Sequence, residues 1–380
     1  MAGFVTQQVI VSSTSPGVSE SSNSSYDDNP TVDGQGSDTG RIEQRLYIIN
    51  RTGTGEVHYL LLTPDRTRMK SYKIHSTVWE RLLNLTHFGV VVLKNNLYVL
   101  GGFDKSKAKH LRTVLKYDPV TGLWTEVCPM MLARAKFGVC ATDDKIYVSG
   151  GEKGDGRVTA RCEVYDVTTD TWSKAGMLVD GRANHAAVVY NNELMCAGGY
   201  NGDRSHNNIW VFEHHKWCQL DEDYPHHLPC SMDRFAVAIL DNVLYFIGGV
   251  QSKVTYPSEK PSFTTRRKVF SFCTRVSAFL ESTVKDLVTP WNFKLPPMIY
   301  ARHSAGVVVL GKRIHVIGGQ SLETGQSVNA SEFFDSETGE WEEDFRFRKD
   351  VSNVFCAILE VPIIPVEERR DVYRLKWVLW

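Results

Sequence analysis

A short apolar run closing on two glycines occurs five times in this chain: VLGG ending at Gly102, VSGG at Gly151, CAGG at Gly199, FIGG at Gly249 and VIGG at Gly319. Successive spacings are 49, 48, 50 and 70 residues, so the last interval carries an insertion of about 20. A period of this length restricts the chain to an array of small units, none of which covers its own faces without neighbours. The first glycines of the pairs are Gly101, Gly150, Gly198, Gly248 and Gly318.

Each pair closes the same pattern. An apolar strand, a two-residue polar turn and a second apolar strand lead into it, with turns at Asn95-Asn96, Asp143-Asp144, Asn191-Asn192, Asp241-Asn242 and Gly311-Lys312. Such pairs accept the positive φ of a tight hairpin, so each unit opens with two antiparallel strands, a and b. After a variable polar loop an aromatic residue precedes a tryptophan by seven positions: Tyr117 and Trp124, Tyr165 and Trp172, Phe334 and Trp341. In a fourth unit, Phe212 and Trp217, the spacing is five. Turn-formers such as DPVTG (118–122) and DSETG (335–339) lie between them and mark a second hairpin, strands c and d. No helical periodicity interrupts 45–362, so the expected fold class is all-β, built from four-stranded antiparallel sheets.

Five diglycines with trailing aromatic–Trp pairs resemble the kelch repeat, over roughly 45–362. The resemblance implies a β-propeller. Two fragments complete its count. LYIIN (46–50) reads as a strand b without its glycines, Tyr72 and Trp79 repeat the aromatic spacing as strands c and d, and NVFCAILEV (353–361) reads as a strand a. Joined, they make a sixth blade closed by the C-terminal strand, which removes both open edges of the ring. The apolar run EVHYLLL has no place in this assignment.

Strand direction places the d-to-a and b-to-c loops on one face. About fourteen residues before each diglycine, at the start of strand a, stand His87, Lys136, Asn184, Asp233 and Ser304, with Ser352 matched by its apolar pattern. In kelch-like proteins the residues that grip peptide ligands resemble this ring. The b-to-c loops add Phe103, Asp104, Lys105, Glu152, Arg157, Tyr200, Asn201, Arg204, Gln251 and Gln320, and loop aromatics and arginines are frequent interface anchors. Two basic loops, around Lys105–Arg112 and around Lys253–Lys268, offer contacts to an acidic peptide or are plain solvated loops.

Signals for chemistry are weak. His214, His215 and Cys218, then His226, His227 and Cys230, repeat HxxC, but Trp217 puts the first set on a strand d and a His-rich surface turn is the simpler reading. No GxSxG, HExxH or P-loop pattern is present, so neither enzyme nor cofactor is expected. The Tyr, Cys and His constellation of kelch copper oxidases finds no match, which leaves that reading the weakest.

The charge balance, 43 Lys plus Arg against 44 Asp plus Glu, argues against nucleic acid, and no apolar run is long enough for a membrane span. Eight cysteines stand apart without a CxxC pair, most of them in apolar runs, as in a reducing compartment; the expected location is cytoplasmic or nuclear. Between Ser12 and Ser25 eight of fourteen residues are serine, so 1–44 is expected as a disordered tail. Residues 45–362 are assigned to the propeller and 363–380 to an apolar C-terminal extension that packs on it or on a partner. The leading function is a protein-recognition module resembling the substrate propeller of BTB-kelch cullin-3 ubiquitin ligase adaptors. The residues ahead of the propeller are too few and too polar for BTB or BACK domains. An actin-binding or cytoskeletal kelch scaffold is the alternative.

Overall fold

The structure, a computed structural model, describes residues 42–50, 57–61, 71–73, 82, 84–219, 227–253, 262–272, 291–292, 294–347, 350–352 and 354–362. The polar turns do what their composition permits: Asn191 and Asn192 take φ of 51° and 64°, and Asp241 and Asn242 take 50° and 61°. Each turn pairs strand a with strand b in the same register, for example Gly89 with Leu100, Gly138 with Ser149 and Gly306 with Ile317.

Among the described residues six antiparallel blades result, five of four strands and blade two with the short strand Leu85–Thr86 added, beside a small sheet of Met232–Asp233, Val250–Lys253 and Ser262–Thr265. Blade two has strand a at Gly89–Leu93, b at Asn96–Asp104, c at Lys109–Asp118 and d at Leu123–Val127. Blade three follows with Gly138–Thr142, Lys145–Ser149, Arg161–Asp166 and Thr171–Met177. Blade four comprises Ala186–Tyr190, Glu193–Ala197, Ile209–Glu213 and Lys216–Gln219. Blade five comprises Ala236–Leu240, Val243–Ile247, Val269–Phe272 and Trp291–Asn292. Blade six comprises Gly306–Leu310, Arg313–Ile317, Ala330–Asp335 and Glu340–Arg346. Blade one takes its strand a from the far end of the chain, Val354–Pro362, beside b at Ile42–Asn50, c at Val57–Leu61 and d at Ser71–Lys73.

The six a strands touch one another in sequence and the last touches the first, so the sheets close into a propeller. Closure rests on nine paired residues, from Ile42 with Pro362 to Asn50 with Val354. Between blades two and three, Val91, Leu93, Leu100, Phe137, Val139 and Ile146 are buried together. Each such side chain contributes about 1.5–3 kcal/mol when fully buried.

The diglycines are seams between blades. The second glycine donates its N–H to a carbonyl of the next blade: Gly151 to Arg182 at 2.7 Å, Gly199 to Met232 at 2.9 Å and Gly319 to Val351 at 3.0 Å. The first glycine lies against that same carbonyl, and a Cβ built on Gly150 would come within 2.4 Å of the Arg182 oxygen. Tryptophans fasten the opposite flank, with Trp172 Nε1 donating to the Cys128 carbonyl at 2.8 Å and Trp341 Nε1 to that of Pro296 at 3.0 Å.

Blade one corrects the sequence reading. Tyr72 lies on strand d, not c, because the unassigned run EVHYLLL supplies strand c, where Tyr59 is the partner of Tyr72. Trp79 lies outside the described residues. In register, Tyr59 and Tyr72 hold the places that Tyr117 and Trp124 hold in blade two. Phe272 and Trp291 hold them in blade five, where nineteen positions separate the two residues in sequence.

Candidate functional site

At the face where d-to-a loops enter and b-to-c loops leave, His87, Lys136, Asn184, Arg234 and Ser304 occupy one equivalent position. All five have left-handed φ, between 55° and 58°. That conformation is uncommon for residues with a Cβ, and its repetition has a visible return. Each turned backbone points its N–H sideways to the preceding blade: Lys136 to His87 O at 2.9 Å, Asn184 to Lys136 O at 2.8 Å, Arg234 to Asn184 O at 3.1 Å and Ser304 to Arg234 O at 3.0 Å. A rim of backbone hydrogen bonds thus runs across five blades around the channel mouth. Ser352, in blade one, donates its N–H to Asp350 Oδ1 at 2.9 Å and is buried.

Asp233 is one residue short of this rim. It is buried, accepts from the Ser205 hydroxyl at 2.6 Å and pairs with Arg234 Nε at 2.6 Å, so it aims the true rim residue, Arg234. An extra residue between strand a and the diglycine pattern is not the cause; Arg234 stands at the same offset as its four counterparts, and Asp233 is the neighbour before it.

The first residue after each diglycine bridges both sides of its loop. Phe103 pairs with Thr86 and His110, Glu152 with Ala135 and Val158, Tyr200 with Ala183 and Ser205, and Gln320 with His303 and Ser327. In blade five this place belongs to buried Val250, with Gln251 next to it on the longer strand Val250–Lys253. That strand pairs with Ser262–Thr265, whose Phe263 meets the Tyr200 ring at 6.3 Å. On the other side Thr265 accepts from the Leu322 N–H at 2.8 Å, so the blade-five hairpin touches blades four and six.

Charge on this face is arranged in two tiers. Near the channel, cations are paired: Lys136 Nζ lies 2.6 Å from Glu152, which also faces His110 Nε2 at 3.6 Å. The His110 and Lys136 side chains beside it lower the Glu152 carboxyl to about 2. Farther out Arg157, Arg204, Lys105, Lys109 and Lys268 are exposed and carry no ion pair among the described residues. Asp104 is tied down by Ser106, at 2.6 Å from its hydroxyl, and Asn201 accepts from the N–H groups of Asp203 and Arg204 at 3.0 and 3.1 Å, which shapes its loop.

Among the described residues no group of three or more His, Cys, Asp or Glu could hold a metal. His214 and His215 form the c-to-d turn of blade four at φ of 48° and 63°, Cys218 is exposed on strand d, and His226 lies outside the described residues.

Residues 58–277, more than half of the chain, match the model of the KLHDC2/KLHL20/DRC7 Kelch-repeats domain. The chain belongs to that Kelch-repeat family. Similar curated proteins include Kelch-like protein 26 of Danio rerio, 23% identical over 82% of this chain and 47% of that protein. Kelch-like protein 23 of Homo sapiens is 23% identical over 67% of this chain and 40% of its own length. Spermatocyte protein spe-26 of Caenorhabditis elegans is 28% identical over 42% and 30%. The chain therefore spans less than half the length of these relatives. The solved structure of YjhT shares the fold, at a TM-score of 0.61 and 16% identity over 77% of this chain and 91% of that one.

The Kelch repeats also hold a residue set that sequence reading missed. Arg134, Arg182 and Arg302 are each 16 residues before the first glycine of their blade and are almost wholly buried, at 0%, 0% and 1% exposure. Each guanidinium donates to the carbonyl of that glycine: Arg134 to Gly150 at 2.8 Å, Arg182 to Gly198 at 3.0 Å and Arg302 to Gly318 at 2.7 Å. Arg134 also pairs with Glu163 and Arg302 with Glu332. The carboxylates in turn accept from the Met131 and Ile299 N–H groups at 2.9 and 2.6 Å, which pins the d-to-a loops that present the rim. The recurring ARAK, GRAN and ARHS at this offset was the signal.

Proposed function

We propose that this Kelch-repeat propeller is a non-catalytic recognition module that holds a segment of another protein across the rim of His87, Lys136, Asn184, Arg234, Ser304 and Ser352. The observation that carries the reading is the rim itself. One hydrogen-bonded backbone frame carries a rim residue from each of five blades, with Ser352 of blade one beside it, so the residue at this position is chosen blade by blade on a rigid support. Around it, Phe103, Asp104, Arg157, Tyr200, Asn201, Arg204 and Gln320 form an outer tier. Aromatic and arginine side chains on rigid elements supply contact at low entropic cost. The excess of unpaired cations in that tier favours a ligand with acidic character through steering and charge complementarity.

The resemblance to BTB-kelch adaptors extends the reading to delivery of the bound protein to a cullin-3 ubiquitin ligase and its degradation, in the cytoplasm or nucleus. Cullin recruitment in that family belongs to domains other than the propeller, so this chain's share of the task is the grip on the substrate.

Proximity labelling in cells with the wild-type chain and an Arg157→Glu, Arg204→Glu variant tests the reading. Both residues are exposed, so folding is retained. A set of proteins lost from the variant is the expected result; an unchanged set overturns it. Co-sedimentation of the purified chain with actin filaments at physiological salt would instead support the cytoskeletal alternative.

A further inference from the structure

Where blades three and six bury the pairs Arg134–Glu163 and Arg302–Glu332, blade five has Met232, 16 residues before Gly248, and Phe270, opposite Phe246. Both are buried, and beside them lies a cavity of about 260 Å³. Met232, Phe270 and Pro229 give it an apolar wall, and Cys230, Gln251, Arg266 and Lys268 complete the lining. Blade two has a comparable exchange, Leu85 with Leu115, and a cavity of about 470 Å³ beside it. There the charges are mixed: Lys107 and Lys109 are accompanied by Asp104 and Glu126, and Lys107 pairs with Asp104 at 3.5 Å. The blade-five cavity carries cations alone.

Backbone hydrogen bonds hold these walls. Met232 pairs with Gln251 across the small sheet, and Gln251 pairs with Thr264. Arg266 donates its N–H to the Gly249 carbonyl at 2.9 Å, and its own carbonyl accepts from Arg302 at 3.3 Å. On this support two buried polar atoms lack a hydrogen-bond partner among the described residues, Arg266 Nε and Gln251 Oε1. A half-turn of the Gln251 amide puts a donor in place of that oxygen. Neither Arg266 nor Lys268 has an ion-pair partner among the described residues. Both oppose the rise that burial causes in the Cys230 thiol, so the three groups stand within electrostatic reach of one another. A half-buried guanidinium against an apolar wall loses hydration that only an acceptor restores.

An apolar wall with two cations and an amide suits an oxyanion on a short apolar stem. We propose that this pocket takes an acidic side chain of the protein segment held at the recognition face. The d-to-a loop with Pro229 and Cys230 and the b-to-c residues Gln251, Arg266 and Lys268 belong to that face, so the proposal rests on the recognition reading and deepens it. Arg266 donates to the carboxylate, Lys268 covers it from the exposed side, and Met232 and Phe270 pack on its methylenes. Blade five thus makes with its ligand the ion pair that blades three and six make internally.

Cys230 reports on the pocket without any partner. Two disulfide reagents of similar size, dianionic dithiobis(nitrobenzoate) and neutral dithiodipyridine, are compared on the full chain, with labelling of each cysteine followed by peptide mass spectrometry. Cys218, exposed on strand d of blade four, is the reference. At low salt the anionic reagent should be favoured at Cys230 over Cys218 by at least about tenfold. Arg266→Gln with Lys268→Gln should bring that preference to within about twofold. Lys268 is exposed, so Lys268→Glu alone, expected to abolish the preference, keeps the test sound should the double variant fail to fold. The second arm is proximity labelling with Lys268→Glu beside the Arg157→Glu, Arg204→Glu variant. An anion preference at Cys230, together with proteins lost from Lys268→Glu, supports the pocket. Cys230 left unlabelled by both reagents, labelled without preference, or with a preference untouched by Lys268→Glu would overturn it. Proteins lost from the Arg157, Arg204 variant but none from Lys268→Glu would overturn the pocket and leave the recognition reading standing; none lost from either would overturn both.

Discussion

The guanidinium of Arg182 stands 5.8 Å from the centre of the Trp210 ring, in the place where Arg134 meets Glu163 and Arg302 meets Glu332. Strand register makes the three pairs equivalent, since Trp210, Glu163 and Glu332 each lie opposite the residue two before the diglycine. Blades two and five hold Leu85 with Leu115 and Met232 with Phe270 at the same positions. Arginine thus occurs with a carboxylate or an aromatic face, and apolar residues occur together. Burial disfavours the charged form of Arg302 and, on the other side, of Glu332, so neither charge is tolerated without its partner.

Arg134→Met should therefore cost about 3–5 kcal/mol, because it leaves Glu163 charged, buried and without a cation. The double substitution Arg134→Leu with Glu163→Leu copies blade two and should recover most of that loss. Unfolding midpoints in guanidinium chloride for the three proteins measure both effects.

Gly150→Ala should destabilise by roughly 3 kcal/mol or more, since the new Cβ would press on the Arg182 carbonyl of the next blade from a residue at φ +61°. Gly122→Ala has a similar φ, +68°, but nothing within 4 Å of the added carbon, so only the backbone strain of about 1 kcal/mol is expected. Thermal melts of the two variants separate steric closeness from conformation.

Most of the architecture was legible in the residues. Diglycines, polar hairpin turns and aromatic–Trp pairs are local features with fixed offsets, and each specifies a backbone conformation by itself. The closing strand at 354–362 was legible because its apolar pattern matched the other a strands in phase. Blade one misled at Tyr72 because its aromatic pair, Tyr59 and Tyr72, is thirteen positions apart in sequence instead of seven, while the accidental spacing to Trp79 imitated the other blades. The rim was harder to read. Asp233 and Arg234 are adjacent polar residues, and only the left-handed φ of Arg234 and its hydrogen bond to Asn184 tell which one faces the channel mouth. Arg134, Arg182 and Arg302 went unread because a charged residue at a loop end looks solvated until its partners are brought over it.

Acid should weaken the fold before most carboxylates titrate. His185, with Nε2 2.8 Å from the Ser149 hydroxyl, and His303, with Nδ1 2.9 Å from that of Ser304, are buried, and burial, reinforced by nearby arginines, lowers each to about 3. In the unfolded chain both titrate near 6.5. As pH falls from about 6.5 toward 3 the unfolded state takes up protons that the folded state refuses, so stability declines through that window and is unaffected above it. Below about 4.5 the lowered Glu152 carboxyl adds a loss of the same sign. Melting temperatures between pH 7.5 and 4.5 should fall, and the slope should be shallower in His303→Asn, which keeps a polar group beside Ser304.

A ring sealed by pairing Val354–Pro362 with Ile42–Asn50 makes the stability of every blade depend on the last strand. The direct measurement is thermal unfolding, followed by circular dichroism and by size, of a chain ended after Ser352. A ring that needs this seal predicts an expanded protein without a cooperative melt. A compact protein that melts as sharply as the full chain would contradict it.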